Sequence, residues 1–598
     1  MTKLQNIIYP STDNCTEEAL YFRRFGDVEY SFADKYITLH EDATISFDTY
    51  FNGFSAGKWY KYTRVKQIGL CLKLCGVFRI TLWYKEKQAT QLFSRVVKEF
   101  YCDTEGQLKD ILCEFDTEYE QGMYSFSILS LDDESEFHSG YYYTNVQELD
   151  LEKVRISMVI CTFKREKYVY KNMKMLCEKF LDNPSSELYN NLEVMISDNA
   201  HSLDVSKLDN EKIHVFENKN VGGAGGFTRG MIESIKLSKT HTITHVLLMD
   251  DDVVIQPESI YRTYKLLTLI KPEYADTYVG GAMLRTDNQW FQTESGGRWN
   301  NGALISHKNG LDLRDLDACL YNEFEEACEF NAWWYCTVPM QFVTENNLPL
   351  PIFIRGDDVE YGLRNMKHLI LMNGICVWHE PFEFKYSSSM YYYIFRNKLI
   401  DNAIHKKPYS KKKFMREFKD WFVREVFTMR YKNAWLLLTG VNDFMKGIDF
   451  FLETDGEELN KEIMSKGYKL QYIDELSIPF SYPEYEQTLR FFESRKQQRK
   501  RILTLNGMFQ KAIRTAIVPV QGPHIAYFYK VYAALHYDVS SKKGFVTYRS
   551  QKEVFDLFKA YLNTTKNVKK NYEKIISVYE NRKNEITNIE FWNKYLEI

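Results

Sequence analysis

Thr244-His-Val-Leu-Leu-Met-Asp250-Asp251-Asp252-Val-Val reads as a buried strand that ends in three consecutive carboxylates. Charges this close repel strongly unless a cation neutralises them. Hard divalent ions take carboxylate oxygens and keep coordination positions for phosphate oxygens. The plainer alternative is a helix N-cap, because Pro257 and Glu258 open a helix shortly afterwards. The position at the end of an apolar strand favours the metal–phosphate reading.

Working outward, Val154-Arg-Ile-Ser-Met-Val-Ile-Cys, Leu192-Glu-Val-Met-Ile-Ser and Ile213-His-Val-Phe are further apolar strands, and Tyr168 to Phe180 has a helical pattern. Such strands alternating with helices predict a parallel sheet covered on both faces. Ligands of these sheets bind at the carboxyl ends of the strands. Thr162-Phe163-Lys164-Arg165 lies at one such end, with an aromatic ring for a base and cations for a diphosphate. Asp198-Asn199 ends the second strand. Asn220-Val-Gly222-Gly223-Ala-Gly225-Gly226-Phe-Thr-Arg229-Gly precedes a helix. Its glycines allow close backbone approach to a ligand, and a helix N-terminus favours anions. It is neither a G-x-x-x-x-G-K-[ST] loop nor a good dinucleotide fingerprint. A tight strand–helix turn is the alternative.

Three regions follow from the patterning. Residues 1–150 alternate apolar and polar in short strands, as in Thr44-Ile-Ser-Phe-Asp-Thr-Tyr-Phe, and predict an antiparallel β-sandwich able to bind glycan. Residues 151–400 form the α/β region, and 401–598 read mostly as helix. In the last region Lys406, Lys407, Lys411, Lys412, Lys413 and Arg416 stand near Trp421, Phe422 and Phe427. Ser494-Arg-Lys-Gln-Gln-Arg-Lys-Arg501 is a second basic run, followed by the amphipathic Gly507-Met-Phe-Gln-Lys-Ala-Ile-Arg-Thr-Ala-Ile-Val. Basic amphipathic segments suit anionic membrane surfaces, and a solvated face is the alternative.

Composition bounds the class. The chain has 598 residues, 44% hydrophobic and 26% charged, which excludes a disordered or collagen-like chain. A net charge of −4 argues against a dedicated nucleic-acid binder. The 11 cysteines lack metal-type pairing, with Cys71 and Cys75 the closest pair, and read as reduced thiols. No secretory apolar run opens the sequence and no stretch is apolar enough to span a bilayer. A cytoplasmic protein is expected, peripheral on the inner face of the membrane if the basic segments dock there, with homo-oligomerisation left open. The aromatic share, 16%, exceeds what one core needs, and aromatic faces also stack on sugars.

Taken in order, Thr162-Phe-Lys-Arg, Asp198, the glycine-rich stretch and Asp250-Asp-Asp resemble the inverting, metal-dependent glycosyltransferases of the GT-A fold, family 2. Asn331-Ala-Trp333-Trp334-Tyr-Cys, Pro351-Ile-Phe-Ile-Arg-Gly-Asp357-Asp358-Val-Glu360-Tyr-Gly-Leu-Arg364 and Val377-Trp378-His379-Glu380-Pro381-Phe382 narrow the resemblance to the polymerising galactofuranosyltransferases. Those enzymes also carry an N-terminal β-sandwich, similar here in Ser46-Phe-Asp-Thr-Tyr-Phe-Asn-Gly-Phe, and a C-terminal helical region. Near Arg355-Gly356 the sequence departs from the family, which has an aromatic beside the Asp pair. That departure bears on acceptor fit and linkage.

The resemblance implies roles. Asp250, Asp252 and His379 would hold Mn²⁺ or Mg²⁺. Thr162, Phe163, Arg165, Asp198, Asn220, Gly222, Gly223, Arg229, Asp250 and Asp251 would bind the nucleotide sugar. Adjacent carboxylates cannot point the same way, so Asp358 is assigned as base and Asp357 as sugar ligand. A capping Asp ahead of a helix near Val359 is the alternative. Trp333 and Trp334, with Glu294 and Trp299, would bind the acceptor; a core Trp pair is the alternative. The implied reaction is inverting transfer of galactofuranose from UDP-galactofuranose to a bacterial surface glycan, with the acceptor lipid-linked. The rivals are another donor, rhamnosyl or pyranosyl, and a non-catalytic glycan-binding protein.

Overall fold

The computed structural model describes residues 1–598 except 116–118, 120, 148–150, 301, 383–385 and 406–408. Lys406 and Lys407 of the first basic segment therefore lie outside the described residues.

Two antiparallel sheets form the N-terminal region. One runs Val28–Ser31, Tyr36–His40, Glu134–Thr144, Ile68–Cys75, Lys109–Phe115, with Thr2–Asn6 also on Glu134–Thr144. The other runs Arg23–Phe25, Thr44–Ser46, Met123–Ser130, Val77–Gln88, Gln91–Asp103. Alternation puts Phe126 of one sheet and Phe137 of the other in the core, and Phe47 meets both rings, stacked at 4.4 Å and edge-on at 5.1 Å. This packing accounts for much of the aromatic excess.

The sandwich is locked onto the α/β region by buried charge. Glu258, in the helix Pro257–Thr268, accepts from the backbone and side chain of Asn6, both at 2.8 Å. Arg262, one turn on, donates to the Phe51 carbonyl at 2.6 Å and to Glu258 at 3.2 Å. Both residues are buried, so each charge depends on the other for neutralisation.

The central sheet is mixed rather than parallel. Ile213–Glu217, Leu192–Asp198, Ile156–Thr162 and His245–Asp250 are parallel as expected. Cys336–Pro339 then joins antiparallel to His245–Asp250, and Thr277–Arg285 antiparallel to it. Thr277–Arg285 in turn pairs parallel with His368–His379. Antiparallel and parallel buried strands are equally apolar, so composition could not separate them.

The C-terminal region is mostly helical. In Lys411–Phe427 the apolar residues Phe414, Phe418, Phe422 and Val426 recur every fourth position and are fully buried, with Ser410 capping the first turn. Trp421 and Phe427 also pack on this core, so the aromatics of this basic segment face protein rather than a membrane. Four strands were not anticipated: Gln471–Tyr472, Lys543–Tyr548, Val531–Asp538 and Arg514–Pro519 form a sheet. The amphipathic stretch at 507–518 thus ends as a strand, because β-branched Thr515, Ile517 and Val518 pair with Val531–Asp538. The final helix, Ile589–Leu596, returns to the α/β region, where Trp592 donates to the Pro349 carbonyl at 2.9 Å. Among the described residues no helix is long and apolar enough to cross a membrane.

Candidate active site

Strand ends build the site. Thr162, Asp198, Asp250 and His379 are the last residues of their strands. Register pairs Thr162 with Asp198 and Cys161 with Asp250. The two-residue strand Val254–Ile255 pairs antiparallel with Trp378 and Val377. That short ladder carries the segment after Asp252 alongside the strand ending in His379, and so joins residues more than a hundred apart in sequence.

Ligand atoms of Asp250, Asp252 and His379 all lie within 4.8 Å of one another. His379 Nδ1 is 2.6 Å from the Glu380 carbonyl oxygen, to which it donates its proton, and Nε2 faces Asp252 Oδ1 at 3.4 Å. The tautomer thus leaves the Nε2 lone pair directed at the acids. Two carboxylates and a neutral imidazole fit a divalent cation. Arg165 Nη1 holds the other Asp252 oxygen at 2.6 Å.

Burial dominates the electrostatics of these acids. Burial and then Asp252 push the Asp250 carboxyl well up, with His379 opposing. Burial raises Asp251 to about 6, against the Thr162 hydroxyl, Arg165 and the Phe163 backbone N–H. The Cys161 thiol, raised chiefly by burial, also feels Asp251, Asp250, Asp357 and Asp198, which places four acids around one atom.

Asp357 and Asp358 open the helix Asp357–Asn365, after Gly356 in the left-handed region. Asp358 Oδ1 accepts from Val359 N at 2.8 Å. Burial pushes both carboxyls up, and for Asp357 the Asp358 charge adds to it. The Asp358 charge also raises the carboxyls of Asp250 and Glu294, so the base candidate lies near the Asp250–Asp252–His379 cluster. Glu294 ends the strand Phe291–Glu294. Burial raises its carboxyl to about 7, opposed by the Ser306 hydroxyl, which donates to it.

Several expected contacts are placed differently. Trp333 is 5% exposed and packs edge-on against Phe227 and Tyr361, in the core. Trp334 is equally buried and donates to the Gly281 carbonyl at 2.9 Å. Trp299 is buried against Phe330 and Val359 and donates to Asn402 Oδ1 at 3.1 Å. None of the three presents an open ring; they shape the site from behind. Asp198 accepts from the backbone N–H groups of Ala200, Ser202 and Leu203 at 3.0, 2.7 and 2.8 Å, which makes it the anchor of its own loop. Arg229 is engaged by Glu233, the Glu217 carbonyl and the Phe216 ring, none of them at the acid cluster. Asn220 accepts from Gly222 N at 3.3 Å.

The glycines serve packing. A Cβ on Gly222 would meet the Phe353 carbonyl oxygen at 2.1 Å, one on Gly226 the Cys161 sulfur at 2.1 Å, and one on Gly230 Val159 at 2.2 Å. The helix Gly222–Ser238 can therefore lie flat on the strand ends, with Gly223 facing Asp357.

The exposed rings are Phe163, 47% exposed, and Phe382, 46% exposed, whose ring centroid lies 5.0 Å from that of His379. Sequence reasoning gave Phe382 no role. It also missed Arg396, Asn397 and Asp401 of the helix Met390–His405, which lie under the Asp357–Asp358 loop. Only the Tyr391-Tyr-Tyr run hinted at them: Arg396 stands over the Tyr392 and Tyr393 rings at 4.9 and 5.2 Å.

Residues 154–375 match the model described as "Glycosyltransferase like family 2", and residues 4–145 the model "Galactofuranosyltransferase 2 N-terminal". These matches mark residues 154–375 as a domain similar to the family 2 glycosyltransferases, preceded by a β-sandwich and followed by a mostly helical region. More particularly, the chain resembles the galactofuranosyltransferases. It is 24% identical over 386 residues to Galactofuranosyltransferase GlfT2 of Mycobacterium tuberculosis (strain ATCC 25618 / H37Rv), covering 61% of this chain and 59% of the relative. It is 25% identical over 395 residues to Galactofuranosyltransferase GlfT2 of Mycolicibacterium smegmatis (strain ATCC 700084 / mc(2)155), covering 61% and 58%. The chain thus spans less than two thirds of the length of the curated relatives it matches. Among solved structures, the mannosyltransferase PcManGT from Pyrobaculum calidifontis in complex with GDP-Man and Mn²⁺ is 12% identical, covering 52% of this chain and 79% of that one. Its TM-score is 0.27.

Proposed function

We infer that this chain transfers galactofuranose, with inversion, from UDP-galactofuranose to a growing bacterial surface glycan (capsule, O-antigen or cell-wall galactan), with a divalent cation bound. The observation that carries the reading is the convergence of Asp250, Asp252 and His379, with the Asp358 carboxylate near enough to act on Asp250. Similarity to proteins named galactofuranosyltransferase supports the donor assignment.

The residues divide the work. Asp250, Asp252 and His379 would hold Mn²⁺ or Mg²⁺, which supplies positive charge to the departing diphosphate. Arg165 holds Asp252 in place and adds a cation at that end. Phe163 offers an open ring to the nucleotide base. Asp358 takes the proton of the attacking hydroxyl, and Asp357, at the same helix N-terminus, binds sugar hydroxyls. Phe382 offers a second exposed ring, beside His379.

The acceptor reading includes a lipid-linked glycan, which suits docking at an anionic membrane. The support is the helix Arg495–Leu503, which has no buried residue and follows Phe492, 84% exposed. Leu503 is 84% and Phe509 72% exposed, beside Arg495, Lys496, Arg499 and Lys500.

The test is incubation with a panel of UDP- and dTDP-sugars and Mn²⁺, with short galactan acceptors and linkage analysis by mass spectrometry. Turnover of UDP-galactofuranose to a β-linked product is expected. Turnover of a rhamnosyl or pyranosyl donor instead would replace the donor assignment. Binding without turnover of any donor would leave a glycan-binding protein.

A further inference from the structure

Phe353, Arg355 and Gly356 all have left-handed backbone, with φ of 72°, 64° and 97°. Glycine adopts this freely, but Phe and Arg do so only where their surroundings impose it. Here they do. Asn397 Nδ2 donates to the carbonyls of Ile354 and Arg355 at 2.8 and 2.7 Å, and Arg396 Nη2 to that of Ile352 at 2.9 Å. Both side chains are buried, and Arg396 is boxed by Tyr392, Tyr393, Phe450 and Phe451. The loop is a rigid bracket whose strained shape is fixed from beneath.

What the bracket presents is the Arg355 side chain. Arg355 is exposed, and among the described residues its guanidinium has no hydrogen bond or ion pair. It stands three residues before Asp358, whose charge opposes the downward pull of desolvation on its pKa. The other arginine of the cleft, Arg165, is already paired with Asp252. An unpaired guanidinium carried on a fixed backbone is suited to bidentate capture of a carboxylate or phosphate.

The direction of the reaction says which substrate it meets. In an in-line displacement the base and the leaving group stand on opposite sides of the anomeric carbon. The metal triad and Arg165 mark the diphosphate side, and Asp358 marks the acceptor side. Arg355 stands on the braced loop that runs directly into the helix opened by Asp357 and Asp358, which places it next to Asp358 in the chain. We propose that Arg355 is a specificity-determining residue that binds an oxyanion on the acceptor, close to the hydroxyl to be glycosylated, so that the preferred acceptor is an acidic glycan. This inference rests on the reading of Asp358 as base.

The test uses the full chain, UDP-galactofuranose, Mn²⁺ and three acceptors of equal length: neutral, uronic-acid-bearing and phosphate-bearing. A charge-assisted contact predicts that at least one anionic acceptor exceeds the neutral one by about tenfold in kcat/KM. The uronate and phosphate arms tell which oxyanion it is. In Arg355→Gln that ratio should collapse towards one through KM, and Arg355→Lys should restore part of it. Equal use of neutral and anionic acceptors by the unaltered chain would overturn the proposal. So would an Arg355→Gln variant that keeps the preference, or one whose main defect is weaker UDP binding by calorimetry, which would put the guanidinium on the diphosphate. If UDP-galactofuranose is not a donor, acceptor binding to the UDP–Mn²⁺-loaded chain by saturation-transfer NMR gives the same comparison. That outcome sinks the donor reading without touching this one.

Discussion

His379 Nε2 lies 3.4 Å from Asp252 Oδ1, across 127 residues of sequence, because Val254–Ile255 pairs with the strand that ends in His379. The Glu380 carbonyl fixes the ring from its other side. His379→Ala should therefore weaken the cation by more than the about 10–100-fold typical of losing an outer-shell partner. Calorimetric titration with Mn²⁺ measures it, and unchanged affinity would remove His379 from the ligand set. Chelation by EDTA should abolish transfer.

Asp358→Asn should keep UDP affinity and lower kcat by about 10²–10⁴-fold, the range for loss of a general base. Single-turnover kinetics with saturating UDP-galactofuranose separates the two effects. Transfer at the unaltered rate would mean that another group takes the proton.

Glu360 belongs to the helix that Asp357 and Asp358 open, fully buried, paired with Arg364 at 2.8 Å and His405 at 3.1 Å. Burial opposes its charge, yet Arg364 and His405 hold its pKa down at about 2, against the ordinary 4.5. A lowered carboxyl pKa adds stability that is fully present above 4.5 and lost as pH falls towards about 2. Glu360→Gln should cost about 3–5 kcal/mol at neutral pH, the range for breaking a buried pair. The gap to the unaltered chain should narrow across that acid window, as followed by urea unfolding at a series of pH values.

Gly230→Ala tests the close seat of the glycine-rich helix. The new methyl would meet Val159 Cγ1 at 2.2 Å, in the middle of a strand that cannot retreat. Overpacking of this kind costs about 1–3 kcal/mol. A fall in Tm of several degrees is expected, together with weaker UDP binding, because the helix start carries Gly223 beside Asp357.

Flotation with anionic vesicles tests the exposed helix Arg495–Leu503. The chain should float with anionic vesicles, less at high salt, and poorly after Phe492→Ser with Leu503→Ser. Failure of the unaltered chain to bind would end the membrane reading.

Much of the site was legible before any fold was known. Asp250, Asp252, Asp357, Asp358 and His379 stand in short stretches where carboxylates or a lone imidazole interrupt apolar sequence, and in the structure Asp250, Asp252 and His379 lie together with the Asp357 and Asp358 charges near them. Legibility failed where a role depends on which way a side chain faces. Trp333 and Trp334 read equally well as a sugar platform or as core, and packing against Phe227 and the Gly281 carbonyl makes them core. Arg229 has the right charge beside the right glycines, but its helical phase turns it towards Glu233.

Sequence by itself therefore determined the strands, the order in which acids fall at their ends, and the class of chemistry they allow. These are local properties: apolar period, charge and backbone freedom are written in neighbouring residues. Only tertiary structure decided that the sheet turns antiparallel after His245–Asp250, that His379 reaches Asp252, and that Arg396 and Asn397 brace Arg355 beside Asp358. Those pairings join residues dozens to a hundred or more apart. They are selected by burial and hydrogen-bond satisfaction summed over the whole fold, a sum that no local stretch contains.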